Sequence, residues 1–157
     1  MSATTNQVTA FFCKAKDSNT MIDLIELLFN QHIDKSRIYI TWDAASWHNS
    51  NKLVSWLDGF NEVTIKMETG PIIEFIPLPA CAQFLDVIES VFGIMKKAVI
   101  HHSDYANEQE MKIAISRHFD ERNEYFKNNP RRAGKKIWEL DFFSDYGSLA
   151  SGNYKEW

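Results

Sequence analysis

Arg37-Ile38-Tyr39-Ile40-Thr41-Trp42-Asp43 is the stretch on which the fold class turns. Ile38, Ile40 and Trp42 fall on one face and Tyr39 and Thr41 on the other, the period of two that marks a strand. Upstream, residues 7–16 also read as a strand, broken by Asp17-Ser18-Asn19. Thr20 with Asp23 three positions on is a capping signal. It predicts a helix to about Gln31 with Ile22, Ile25, Leu28 and Phe29 inward. Downstream, a short helix from about Asn51 to Asp58 is expected to close at Gly59.

Residues 61–76 then hold two possible strands around Thr69-Gly70-Pro71, with Ile72 to Ile76 the firmer, and Pro77-Leu78-Pro79 as a stop. A helix is expected from about Phe84 to Ile100. Its apolar stripe is Leu85, Ile88, Phe92, Met95 and Val99, and its polar stripe is Asp86, Glu89, Gly93 and Lys96. A further helix, about Asn107 to Lys127, has Met111, Ile115, Phe119 and Phe126 as its inner side, and Pro130 ends it. The order β, α, β, α, β, α, α predicts an α/β fold with at least partly parallel strands. The C-terminal tail, about residues 128–157, is aromatic but has little periodicity, and no repeat or internal boundary is visible, so the 157 residues read as a single domain with its core at about 6–127.

Composition narrows the function classes. Hydrophobic content of 45% and 24% charged residues are ordinary globular values, and no apolar run has the length of a membrane span. Cys13 and Cys81 have no CxxC spacing, which argues against a zinc ribbon or a disulfide framework and for a reducing, cytoplasmic setting. A net charge of −4 is unusual for a dedicated nucleic-acid binder. Basic residues nevertheless gather late, at Lys127, Arg131, Arg132, Lys135 and Lys136, as a solvated loop or a phosphate-contacting patch. Lys96 and Lys97 invite the same two readings.

Two carboxylates stand out. Asp43 ends an apolar strand, and Glu89 lies on a helix 46 positions later. Ligands in open α/β sheets collect outside the carboxyl ends of strands. Phosphodiester chemistry is commonly run there by two divalent metals about 3.5–4 Å apart. Magnesium takes hard oxygen donors, a few of them carboxylates. Singly, an Asp closing a strand is an ordinary turn residue and a helical Glu an ordinary solvated one. His101-His102 near Asp104 also invites a metal reading, but adjacent histidines at a helix end are expected to point apart.

The surroundings of the pair add a resemblance. The strand ending in Asp43 is followed by His48 and by a helix reading Lys52-Leu53-Val54-Ser55-Trp56-Leu57. Then come a strand, Leu78-Pro79, a loop, and a helix reading Leu85-Asp86-Val87-Ile88-Glu89 with Phe92 and Lys96-Lys97. Over about residues 6–140 this resembles the catalytic domain of bacterial insertion-sequence transposases allied to the mariner-like superfamily, whose sites use a DDE or DDD carboxylate triad.

The resemblance implies an RNase H-like, integrase-type mixed sheet flanked by helices, with Mg2+ or Mn2+ in a two-metal site held by Asp43 and Glu89. It implies His48 and Asp86 beside that site or its substrate, and DNA contacts from Lys96, Lys97, Arg131, Arg132, Lys135 and Lys136. It also implies DNA strand cleavage and transfer during transposition by a bacterial, nucleoid-associated protein. Departures accompany it. Ala44 and Asp86-Val87 replace the family's Asn and Asn-Pro, and Asp86 adds a carboxylate one turn before Glu89. In the family the first triad Asp lies on a central strand that precedes the segment matching residues 7–16. The chain is therefore expected to lack that Asp and that strand. The missing strand is expected to come from a homo-oligomer partner or a complementing N-terminal segment. The competing expectation is an inactive remnant that only oligomerises or binds DNA weakly.

Overall fold

A computed structural model describes residues 1–42, 48, 50–78 and 87–133. The elements among the described residues include α1 (Ser18–Gln31), β1 (Arg37–Trp42), α2 (Asn51–Met67), β2 (Ile72–Pro77), α3 (Val87–Met95) and α4 (Glu108–Asn128). The chain divides into two compact units, residues 11–89 and residues 1–10 with 90–157.

In the first unit, β1 and β2 pair in parallel from Arg37 opposite Ile72 to Trp42 opposite Pro77. Parallel neighbours need a crossover, and α2 supplies it. The alternation of β1 is realised as read. Ile38, Ile40 and Trp42 turn toward Ile25, Leu53, Leu57 and Ile73, which form the core of this unit. Arg37, Tyr39 and Thr41 are exposed. Aromatic rings tighten the core: Trp42 lies 4.1 Å from Phe75, and Phe29 meets Phe60 edge-on at 4.9 Å.

Parallel sheets normally have both faces covered. Here Tyr39 is 58% exposed and Ile76 45% on the face opposite the core. The edge of β2 away from β1 is satisfied at one point by a side chain. Asn61 donates to the Ile73 carbonyl at 2.9 Å and accepts from the Ile73 N–H at 3.0 Å, a side-chain amide standing in for a neighbouring strand.

Several expected boundaries move. Residues 7–16 are not a strand. The buried Val8 donates its N–H to Asn123 Oδ1 at 2.7 Å and its carbonyl accepts from Asn123 Nδ2 at 2.8 Å, so an amide from a helix replaces the ladder the alternation suggested. α1 is capped by Asp17, whose carboxylate accepts the Thr20 N–H at 2.9 Å, rather than by Thr20 itself.

α2 runs straight through Gly59, and the first of the two strands expected in 61–76 is its last two turns. Leu53, Leu57, Phe60 and Thr64 recur at i, i+4, i+7 and i+11 on the core side, and packing at that period outweighs the roughly 1 kcal/mol that an interior glycine costs. The helix instead ends at Glu68, in the left-handed region at φ 51°, with the Thr69 N–H reaching back to the Thr64 carbonyl at 3.2 Å.

In the second unit, the buried side chains include Val8, Val91, Val99, Phe119 and Ala133. Val91 rather than Phe92 is the inward residue of α3, and Phe92 is 47% exposed. The expected start of this helix at Phe84, with Leu85 on its stripe, lies outside the described residues. α3 does not stay α-helical to Ile100. Lys96–Ile100 widens into a π-helical turn, closed by the His101 N–H on the Lys96 carbonyl at 2.8 Å. α4 begins one residue later than expected, after its cap Asn107, and keeps Phe119 inside.

The N-terminal residues are tied to α4. The Arg122 guanidinium donates to the backbone carbonyl of Asn6 and, at 2.7 Å, to its side-chain oxygen, and it lies 4.6 Å over the Phe126 ring. The Ala133 N–H returns to the Ala3 carbonyl at 2.9 Å.

Candidate functional site

The carboxyl ends of β1 and β2 fall at one edge of the sheet, because the register is parallel and closes with Trp42 opposite Pro77. That end of β1 is held firmly. Trp42 is buried, its carbonyl accepts the Leu78 N–H at 2.9 Å, and its indole stacks on His48 with centroids 5.0 Å apart and an 18° interplanar angle. His48 therefore packs on the end of the strand, and its imidazole has an aromatic neighbour to fix its orientation.

Two helix N-termini meet in the same unit. Ser50 caps α2 by accepting the Leu53 N–H at 3.3 Å, and its hydroxyl shares a 2.6 Å hydrogen bond with that of Ser18 in the first turn of α1. The Lys52 ammonium donates to the Asn19 side-chain oxygen, which ties the two starts together a second time. The Asp17 carboxyl is held below its usual range, chiefly by the Thr20 backbone N–H and further by the Asn19 N–H and the Lys52 charge.

Of the two principal carboxylates, Asp43 lies outside the described residues, as does Asp86. Glu89 is exposed in the first turn of α3 and, among the described residues, makes no hydrogen bond or ion pair. Lys96 and Lys97 are exposed at the start of the π-helical turn. Arg131 and Arg132 are exposed beyond α4, while Lys135 and Lys136 lie outside the described residues. Among the described residues, no three His, Cys, Asp or Glu side chains gather into a metal-binding group. No described helix is long and apolar enough to cross a membrane.

One arrangement departs from the expectation for its residues. The rings of His101 and His102 do not point apart. They meet edge to face with centroids 5.2 Å apart.

The chain matches no family model, no curated protein and no solved structure.

Proposed function

We propose that the chain is the catalytic part of a metal-dependent DNA strand-cleaving and strand-transferring protein of the transposase type, with Asp43 and Glu89 as its carboxylate ligands. The observation that carries the reading is the parallel β1–α2–β2 unit. Both strands end at one edge of the sheet. Residue 43 is the next residue after β1, and the chain beyond β2 leads to α3 with its exposed Glu89. Ligands of open α/β sheets collect outside such an edge.

The donor chemistry fits a hard cation. Two carboxylates, one of them solvent-facing, suit Mg2+ or Mn2+, which when bound activate a water or 3′-hydroxyl and stabilise the leaving oxygen. The protein's own part would be to present the carboxylates, hold His48 stacked on Trp42 at the end of β1, and offer the exposed Lys96 and Lys97 to phosphates. A third ligand and the DNA specificity would come from a partner copy or a complementing segment.

The second reading is a remnant that oligomerises or binds DNA weakly. What favours it is the sheet: among the described residues no segment pairs with the outer edge of β1.

Manganese-dependent nicking of supercoiled plasmid by the chain, beside Asp43→Asn and Glu89→Gln, tests the proposal. Nicking abolished by both substitutions is the expected result. Nicking that ignores either change, or is absent while both variants gain thermal stability from relieved carboxylate repulsion, selects the remnant.

A further inference from the structure

The two ends of β1 fix which way its backbone groups point. The Ser36 carbonyl accepts the Ile72 N–H at 3.0 Å, and the Trp42 carbonyl accepts the Leu78 N–H at 2.9 Å. The bonds of a parallel ladder are evenly spaced, so Ile38 and Ile40 between them address β2 as well. The odd-numbered Arg37, Tyr39 and Thr41 therefore direct their N–H and C=O groups to the other edge. Among the described residues no strand takes them up.

Exposed edges are ordinarily blunted by proline, lysine, a bulge or an inward-pointing charge. β1 has neither proline nor lysine, and its register with β2 runs unbroken from Arg37 to Trp42. Its one charge, Arg37, stands at the first position and is ion-paired with Glu74 of the neighbouring strand. Ile38, Tyr39, Ile40, Thr41 and Trp42 complete it, all residues of high strand propensity. Such an edge is a template for another strand.

We propose that a second copy of the chain occupies this edge, β1 against β1 and antiparallel, about a two-fold axis through Tyr39. An axis perpendicular to the sheet brings two identical edges together in that sense, and closed dimers are built on such axes. The sequence is self-complementary about that point. Tyr39 faces the partner's Tyr39, and Arg37 and Thr41 face each other reciprocally, each facing pair exchanging two hydrogen bonds. All the outward groups of Arg37, Tyr39 and Thr41 are satisfied at once.

Between them Ile38 faces the partner's Ile40 on the core side, an apolar cross-strand pair, and no like charges stand opposite. A slip of two residues either way would set Arg37 or Thr41 against a residue outside β1, so the axis falls at Tyr39. A peptide of unrelated sequence would need none of this symmetry. The inference rests on neither reading of the carboxylates, because antiparallel pairing sends the carboxyl ends of the two β1 strands in opposite directions, away from the axis.

Sedimentation velocity of the full chain over a wide range of concentration tests it, and a reversible monomer–dimer equilibrium is expected. Tyr39→Lys and Tyr39→Glu should each weaken association at least about tenfold, since the axis sets like charges against each other. An equimolar mixture of the two should associate at least about tenfold more tightly than either alone. Tyr39→Pro removes an outward N–H without touching the ladder to β2, and should be monomeric with the parent's circular dichroism. Ile113→Lys, at an exposed apolar residue of α4, should change nothing.

Should Tyr39→Pro disturb the strand, the lysine–glutamate mixture decides alone. A chain monomeric at every concentration overturns the proposal. So does association indifferent to Tyr39→Lys, or a mixture no tighter than its parts.

Discussion

Asn61 shows how much one side chain can carry in this fold. Its amide satisfies both backbone groups of Ile73, a residue only 1% exposed, at the edge of β2 away from β1. Truncation to alanine leaves a buried N–H and a buried C=O unpaired, and each such group costs about 1–3 kcal/mol. Asn61→Ala is therefore expected to lower the urea midpoint by more than any exposed substitution on α2. Asn61→Asp should not rescue it, because a carboxylate cannot donate to the Ile73 carbonyl. Asp17 makes a pH prediction of definite sign. Its carboxyl titrates lower in the folded chain than in the unfolded one, mainly because it accepts the Thr20 N–H. A depressed folded value means stability that is present above the unfolded value, near about 3.9, and is lost as the pH falls through the folded one. Asp34, paired with Lys35, and Glu108, paired with Lys112, act in the same direction. Asp17→Asn keeps a capping oxygen but not the charge. The stability gap between the parent and this variant, followed by thermal unfolding, should narrow steadily on acidification.

At the scale of elements, two glycines make opposite predictions. Gly59 sits inside α2 with nothing within 4 Å of where a Cβ would go, so Gly59→Ala should stabilise by about 0.5–1 kcal/mol. Gly70 has φ 74°, and a Cβ there would lie 2.7 Å from Phe29 Cε2 and 2.8 Å from Ile33 Cδ1. Gly70→Ala should cost more than Gly59→Ala gains, since strain at a left-handed position adds about 1–3 kcal/mol to the clash. Thermal melts of the two variants side by side check both signs. The same pair explains what the sequence could tell. The alternation of β1 was legible because one face of a strand is buried and the other is not, and Ile38, Ile40 and Trp42 lie where that pattern put them. The end of α2 was not legible, because a glycine is a helix terminator only when core packing does not continue beyond it, and Phe60 and Thr64 continue it. Residues 7–16 failed for a different reason. The partner of Val8 is an asparagine 115 positions away, and no local pattern records such a pairing. Within the candidate site, the strand end and the exposure of Glu89 were readable from spacing. The meeting of His101 and His102 was not, because it depends on one left-handed residue after a π-helical turn.

Across the whole molecule, the second unit is discontinuous: residues 1–10 fold with residues beyond 89, while 11–89 form the first unit. The closure is made by a few specific contacts. Arg122 donates to Asn6, Asn123 brackets Val8, and Ala133 returns to Ala3. Burial holds the Arg122 guanidinium somewhat below its ordinary value, so its charge is partly desolvated, and the Asn6 oxygens and the Phe126 face offset that penalty. Deletion of residues 1–8 strips those acceptors and removes the buried Val8, leaving the Arg122 guanidinium and the Asn123 amide without those hydrogen-bond partners. The effect should stay within the second unit. Hydrogen exchange of the truncated chain is expected to show lost protection along α4, centred near Arg122 and Asn123, with β1 and β2 protected as in the parent. Uniform loss in both units would mean that the chain unfolds as one cooperative body and that the N-terminal residues stabilise all of it. Arg122→Ala separates charge from burial: it removes the cation along with its partners' role. It should therefore cost less than the deletion, which also removes the Asn123–Val8 pair and the burial of Val8.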